Sequence, residues 1–135
     1  MEQQTKSHVA AVMVSHNDLN ERALASLQNA INASALDVQV VVVDNASVAY
    51  DAHTLVQAHI PSAITLLRDG DYGYGSSCNR GAQEVDAEYV FILNPDVEFG
   101  DVQIFDKLYA FMKEVPRTGI VAPKITHMDG ALQDT

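Results

Sequence analysis

The chain has 135 residues, 47% of them hydrophobic, and a net charge of −10 from 8 Lys and Arg against 18 Asp and Glu. That length favours one domain, and that much apolar material excludes a wholly disordered chain. A pI near 4.6 excludes non-specific binding to nucleic acid or to an anionic membrane surface, so a phosphorylated ligand would need positive charge from helix N-termini or a divalent cation.

Short apolar runs alternate with helical patterns along the chain. Val9 to Val14 reads as a buried strand ended by Ser15-His16-Asn17. Asn17 or Asp18 is then expected to cap a helix with Leu24, Leu27 and Ile31 on one face. Val38 to Val43 is apolar on both faces apart from Gln39, as in a central parallel strand covered by helices. A short helix is predicted from Asp51 to His59, broken by Pro61, and Ile64 to Leu67 makes a third strand. The glycine-rich stretch Asp69 to Ser77 runs into a helix through Cys78, Ala82 and Val85. Tyr89 to Leu93 is a fourth strand stopped by Asn94-Pro95-Asp96. Val102 to Val115 is the most periodic helix, with Val102, Phe105, Leu108, Tyr109 and Met112 on its apolar face. Gly119 to Ala122 reads as a fifth strand, and Asp129-Gly130 as a hairpin turn.

This alternation predicts an α/β fold with a doubly wound, mostly parallel sheet and helices on both faces. Right-handed crossovers place every strand's C-terminal end on one edge, where ligands of such sheets bind at the reversal of strand order. Ser15-His16-Asn17, Asp44-Asn45, Arg68-Asp69 and Asn94-Pro95-Asp96 should therefore gather there.

Each of these groups has a plain and a chemical reading. Asp44 suits a turn as well as it suits a carboxylate accepting from a ribose or a base. The loop holding Gly70, Gly73 and Gly75 leads into a helix whose first N–H groups suit a phosphate. It lacks the third glycine of a dinucleotide fingerprint, Cys78 standing there, and no Gly-Lys-Ser/Thr of a P-loop occurs, so taken alone it reads better as a flexible surface turn. Asn94-Pro95-Asp96 suits either a turn or a hard cation that takes its other ligands from phosphate and water. His16, His53, His59 and His127 show no metal-ligand spacing. Ser15 and His16 point to opposite faces of a strand and make no nucleophile pair. Near a helix start Cys78 could have a lowered pKa, although buried packing suits it better. Glu84, Asp86, Glu88, Glu98, Asp101 and Asp106 read as a solvated surface.

One cysteine excludes an internal disulfide and a four-cysteine zinc site. The longest apolar run is far short of a membrane span. Met1 to Ser7 lacks the features of a secretory leader, so a reducing, cytoplasmic setting is expected and the sequons at Asn32 and Asn45 read as chance.

Taken in order, these segments resemble the N-terminal half of the family 2 inverting glycosyltransferases, which have the Rossmann-like glycosyltransferase A fold. The pieces are Val12 to Asn17, Val41 to Ser47, Gly73-Tyr74-Gly75 with Asn79-Arg80-Gly81, Tyr89 to Asp96, Gly119 to Lys124, and Asp129-Gly130-Ala131-Leu132-Gln133. The Asn-Pro-Asp form and the closing Asp-Gly-x-Leu-Gln look most like the rhamnosyltransferase-type branch. The resemblance implies that Ser15 and Asn17 lie beside the base and ribose, and that Asp44 holds one of them. It implies that Gly73, Gly75, Asn79 and Asn94 line the nucleotide-sugar pocket and that Asp96 ligates Mg²⁺ or Mn²⁺ on the diphosphate. Asn94 replaces the first acid of the family's Asp-x-Asp motif, which weakens metal binding. Asp71 stands where many relatives have Asn, adding charge that a cation must offset.

The partners so implied are a nucleotide-diphosphate sugar (UDP- or dTDP-linked) and a saccharide or lipid-linked acceptor, with no nucleic acid. Peripheral membrane association through a further region and homo-oligomerisation stay open. The expectation is one donor-binding domain over residues 1–135, an incomplete glycosyltransferase A fold without the C-terminal acceptor half. The family's catalytic base belongs to that half, and neither Asp129 nor Asp134 sits in its motif. The alternatives are a degenerate α/β module serving in assembly and, more remotely, a receiver-like domain. The latter needs acids after the first strand, where Ser15-His16-Asn17 stand.

Overall fold

The computed structural model of the chain describes residues 5–134; the reading of Met1 to Ser7 lies largely outside them. Four strands, β1 (Ser7–Ser15), β2 (Val38–Asn45), β3 (Ile64–Arg68) and β4 (Ala87–Leu93), alternate with four helices. The helices are α1 (Glu21–Ala33), α2 (Ala52–His59), α3 (Tyr74–Ala82) and α4 (Ile104–Glu114). All strand pairs are parallel and the order is β3-β2-β1-β4, so strand order reverses beside β1. The two central strands are buried on both faces, as their continuous apolar sequence requires.

The core divides across the sheet. On one side Val9, Ala11, Met13, Val38, Val40 and Val42 meet Leu24 and Leu27 of α1, Val56 of α2 and Phe105 of α4. On the other, Val14, Val41 and Val43 meet Cys78 of α3. Fully burying a Leu or Val contributes roughly 1.5–3 kcal/mol, so the first side carries most of the apolar stabilisation.

Helix boundaries differ from the sequence reading for local reasons. Asn20, not Asn17 or Asp18, caps α1, its side chain accepting from the Arg22 and Ala23 amides at 2.9 and 3.2 Å. Asn17 has φ +57°, a left-handed conformation that Asn tolerates and a helix entry does not use. The helix opening at Tyr74 stops at Ala82, before Val85. In α4, Phe105 is buried while Leu108, Tyr109 and Met112 are half-covered and Val102 precedes the helix, exposed.

The expected fifth strand at Gly119 to Ala122 is not formed. A strand needs a ladder partner, and these residues pair with none among the described residues; Ile120 is 90% exposed. The turn at Asp129-Gly130 is present. Thr126 and Leu132 form an antiparallel bridge, the His127 amide donates to Ala131 O at 2.8 Å, and Gly130 has φ +88°.

The predicted acidic surface is largely ion-paired. Arg22–Glu98 (3.2 Å), Arg80–Glu84 (2.8 Å), Lys113–Glu88 (2.6 Å), Lys6–Asp86 (3.8 Å) and Lys107–Asp101 take up five of the 8 basic residues. Asp106 instead accepts from Ser34 Oγ at 2.7 Å, tying α4 to the end of α1. Hydrogen bonds from Lys113 and then Tyr109 hold the Glu88 carboxyl below its ordinary range. A depressed acid stabilises fully above its unfolded pKa, and that contribution is lost as pH falls through the folded value. Glu88→Gln should therefore flatten slightly the acid limb of a plot of Tm against pH and leave Tm near neutrality only modestly lower.

Candidate functional site

Three adjacent strands end together, and their register pairs Ser15 with Asp44 and Asn45 with Arg68. Strand alternation then decides direction. Asp44 follows Val40 and Val42 toward the α1 side, whereas Asn45 follows Val41 and Val43 toward α3. Asp44 is 3% exposed and accepts from Ser15 Oγ at 2.7 Å, Ser47 Oγ at 2.6 Å and the Ser47 amide at 2.9 Å. Three of a carboxylate's roughly four acceptor positions are thus taken internally. The tight turn they hold places Ala46 at φ +51°, a conformation that costs an L-residue about 1 kcal/mol.

Asn17 joins the same turn from β1. Its Oδ1 accepts from the Val48 and Ala49 amides at 2.7 and 2.9 Å, and its own amide donates to Ser47 Oγ at 2.8 Å. Ser15, Asn17 and Asp44, singled out in the sequence, are therefore brought together. In the structure Ser15 binds Asp44, and Asp44 and Asn17 each bind the loop after β2.

Asn45 lies at the centre of the other half. It is 2% exposed; Ser77 Oγ donates to its Oδ1 at 2.7 Å, and its Nδ2 reaches Asp71 Oδ1 at 3.4 Å and Gly73 O at 3.5 Å. The His16 ring donates through Nδ1 to its carbonyl at 2.5 Å. The sequence reading named Asn45 among the polar strand ends but gave its side chain no role of its own, although period-two alternation from Val41 and Val43 points it at the start of α3. Gly73, at φ +79°, precedes α3 as its N-cap with no side-chain cap, so the first N–H groups of the helix keep free hydrogens. Asp71 Oδ1 accepts from the Gly73 amide at 3.0 Å, so the extra acid shapes the loop. Arg68 reaches Ser76 and Ser77 Oγ at 3.3 and 3.1 Å, its guanidinium 4.1 Å from the Tyr72 ring centre. It is a basic residue at the polar edge, which the charge sum did not reveal.

Asn94 and Asp96 follow β4, the strand beside β1 across the order reversal, with Leu93 in register with Met13. Both are exposed. Tyr74 Oη, from the first turn of α3, donates to Asn94 Oδ1 at 3.0 Å. Asp96 has no hydrogen bond or ion pair among the described residues, which leaves its carboxylate free for a cation. No group of three His, Cys, Asp or Glu able to hold a metal occurs among them. Hard cations on a diphosphate need only one or two protein carboxylates, so Asp96 fits a shared site but not a protein-only one. Gly75 is exposed on α3. Asn79 is exposed deeper in the helix and has no side-chain bond to the cluster.

Cys78 is buried, and burial pushes its thiol up from the ordinary value, the opposite of an activated cysteine. A groove of about 250 Å³ opens elsewhere, between β4 and α4, lined by Tyr89, Phe105, Leu108, Tyr109 and Ile120. Its walls are apolar and its acid, Glu88, is bound to Tyr109 and Lys113, so it does not suit an anionic ligand. No helix among the described residues is long and apolar enough to cross a membrane.

A fold with its polar residues collected at the C-terminal ends of parallel strands can be compared directly with known proteins. It is similar to a crystal structure of residues 1–349 of S. aureus TarS, with TM-score 0.65 and 18% identity over 79% of this chain and 32% of that one. It is also similar to the mannosyltransferase PcManGT from Pyrobaculum calidifontis in complex with GDP-Man and Mn²⁺. There the TM-score is 0.55, with 19% identity over 78% of this chain and 31% of that one. The chain thus spans about a third of the length of these structures. No curated protein sequence matches it. The family model described as glycosyl transferase family 2 matches residues 10–133, which takes in every strand end of the polar edge, and the chain belongs to that family.

Proposed function

We propose that this chain is the donor-binding part of an inverting glycosyltransferase, taking a UDP- or dTDP-sugar with Mg²⁺ or Mn²⁺ for transfer to a saccharide or lipid-linked acceptor. The observation that carries this reading is the bond from Tyr74, in the first turn of the uncapped α3, to Asn94, two residues before the unpartnered carboxylate of Asp96. A diphosphate lying between that helix end and Asp96 meets N–H donors on one side and a cation held at Asp96 on the other. Ser15, Asn17 and Asp44 form the wall for base and ribose, with one acceptor position of Asp44 left for a hydroxyl. Gly73, Gly75, Asn79 and Asn94 border the sugar-diphosphate. The GDP-Man and Mn²⁺ of the mannosyltransferase support a nucleotide sugar and a divalent ion here.

The chemistry such an ion supplies is neutralisation of charge on the departing diphosphate. The residues of this chain bind and orient the donor. Asp129 Oδ1 accepts from the Ala131 amide in its own turn at 2.9 Å, a structural role, and is not assigned as the base. The rhamnosyltransferase-like branch rests on Asn94-Pro95-Asp96 and Asp129-Gly130-Ala131-Leu132-Gln133, and a cytoplasmic setting fits a nucleotide-sugar donor.

Titration calorimetry with UDP, dTDP and GDP, each with and without Mn²⁺, tests the proposal. Binding of at least one that requires the metal is expected, weakened about tenfold or more in Asp96→Ala, the loss of a charged interaction of roughly 1.5–3 kcal/mol. Absence of binding by the wild type, or binding indifferent to both metal and Asp96, overturns it.

A further inference from the structure

Asn94 stands where an acid is expected, and its side chain is engaged by one bond from α3. Tyr74 Oη, 3.0 Å away, donates to Oδ1. The phenolic proton uses up the acceptor side of the carboxamide facing α3. The two Nδ2 hydrogens have no partner among the described residues. A carboxylate at this position offers only acceptors, so the exchange of Asp for Asn reverses what the strand end offers a ligand.

We infer that Tyr74 is a positioning residue that locks the Asn94 amide with its N–H₂ toward the ligand, so that position 94 donates a hydrogen bond to a nucleotide-sugar oxygen and leaves Asp96 as the protein's ligand for the cation. This inference rests on the donor-binding reading above and specifies its chemistry. It also explains how an edge with so few cations approaches a diphosphate: an amide donor replaces one of two acids, and less negative charge faces the phosphates. The recognised oxygen belongs to the diphosphate or to the ribose, which share acceptor character.

The test begins without a nucleotide. In ¹H–¹⁵N spectra of Asn-labelled protein, the Asn94 amide pair is identified by its loss in Asn94→Asp and should move in Tyr74→Phe. An unmoved pair overturns the lock. With UDP and Mn²⁺ the pair should shift in the wild type. Tyr74→Phe should weaken UDP by about threefold to tenfold, the worth of orienting one hydrogen bond. Asn94→Asp should bind Mn²⁺ alone several-fold more tightly yet bind UDP at saturating Mn²⁺ about tenfold more weakly. Tighter UDP binding by Asn94→Asp would show that position 94 serves as a metal ligand, and sinks the inference. Inorganic pyrophosphate with Mn²⁺ and uridine alone separate the two sources, since only the one carrying the acceptor shifts the Asn94 pair. If the wild type binds no nucleoside diphosphate, the donor-binding reading fails, whereas the response of the amide pair to Tyr74→Phe still reports on the lock.

Discussion

Asp44→Ala should lower the free energy of unfolding by about 3 kcal/mol, measured by urea denaturation. The carboxylate is buried and receives three hydrogen bonds, two from hydroxyls and one from the Ser47 amide. Bonds to a charged acceptor contribute about 1.5–3 kcal/mol, and an orphaned buried donor costs about 1–3 kcal/mol. Ser15, 1% exposed, is the group left stranded. Removing it as well, in Ser15→Ala/Asp44→Ala, should therefore cost less than the sum of the single changes. Asp44→Asn keeps the side-chain shape while turning one acceptor into a donor, and should fold with an intermediate loss. In that folded variant, UDP binding separates the two roles of the residue. Weakened binding assigns the remaining acceptor position to a ligand hydroxyl, and unchanged binding confines Asp44 to the turn.

Gly81→Ala is the second large effect, at about 2 kcal/mol of destabilisation, although Ala is the better helix former by about 1 kcal/mol. A Cβ at this position would stand 2.5 Å from Val12 Cγ1 and 3.0 Å from Val43 Cγ2, inside real contact distances. Val12 and Val43 are fully buried in the central strands and have no room to retreat. The glycine thus lets the α3 backbone lie directly on the sheet, which sets where Ser77 meets Asn45 and where the helix N-terminus points. Val12→Ala alone should cost roughly 2 kcal/mol as a cavity. Combined with Gly81→Ala it should cost clearly less than the sum, because the new methyl enters the space vacated. Strict additivity in denaturation midpoints would show that the contact is not the limiting one.

The architecture was legible because its signals are local and periodic. Val9 to Val14 and Val38 to Val43 announce central strands by being apolar on both faces, and Leu24, Leu27 and Ile31 announce a helix by their spacing. The gathering of strand ends follows from parallel connectivity alone, and Ser15, Asn17 and Asp44 do gather. The strand expected at Gly119 to Ala122 failed because a short apolar run becomes a strand only when a neighbour supplies its ladder. The cap expected at Asn17 failed because Asn17 is drawn instead into the loop after β2, a contact 31 residues away along the chain.

For function the division follows the same physics. The order of short motifs, each read from neighbouring residues, was enough to indicate the family, whereas the glycine-rich loop and Asn94-Pro95-Asp96 taken alone read as turns at least as well as a phosphate or cation site. Composition likewise established that positive charge would be scarce. It took the tertiary structure to show that most of the basic side chains are spent in surface ion pairs while Arg68 reaches the start of α3, and that Asn45, placed by the sequence only at a strand end, bonds to Ser77 of α3. It alone joined Tyr74 to Asn94, from two elements 20 residues apart. Periodicity carries the direction of a side chain from its own strand or helix. Which donor meets which acceptor depends on register and packing between elements, and these are settled only when the sheet and its helices close on one another.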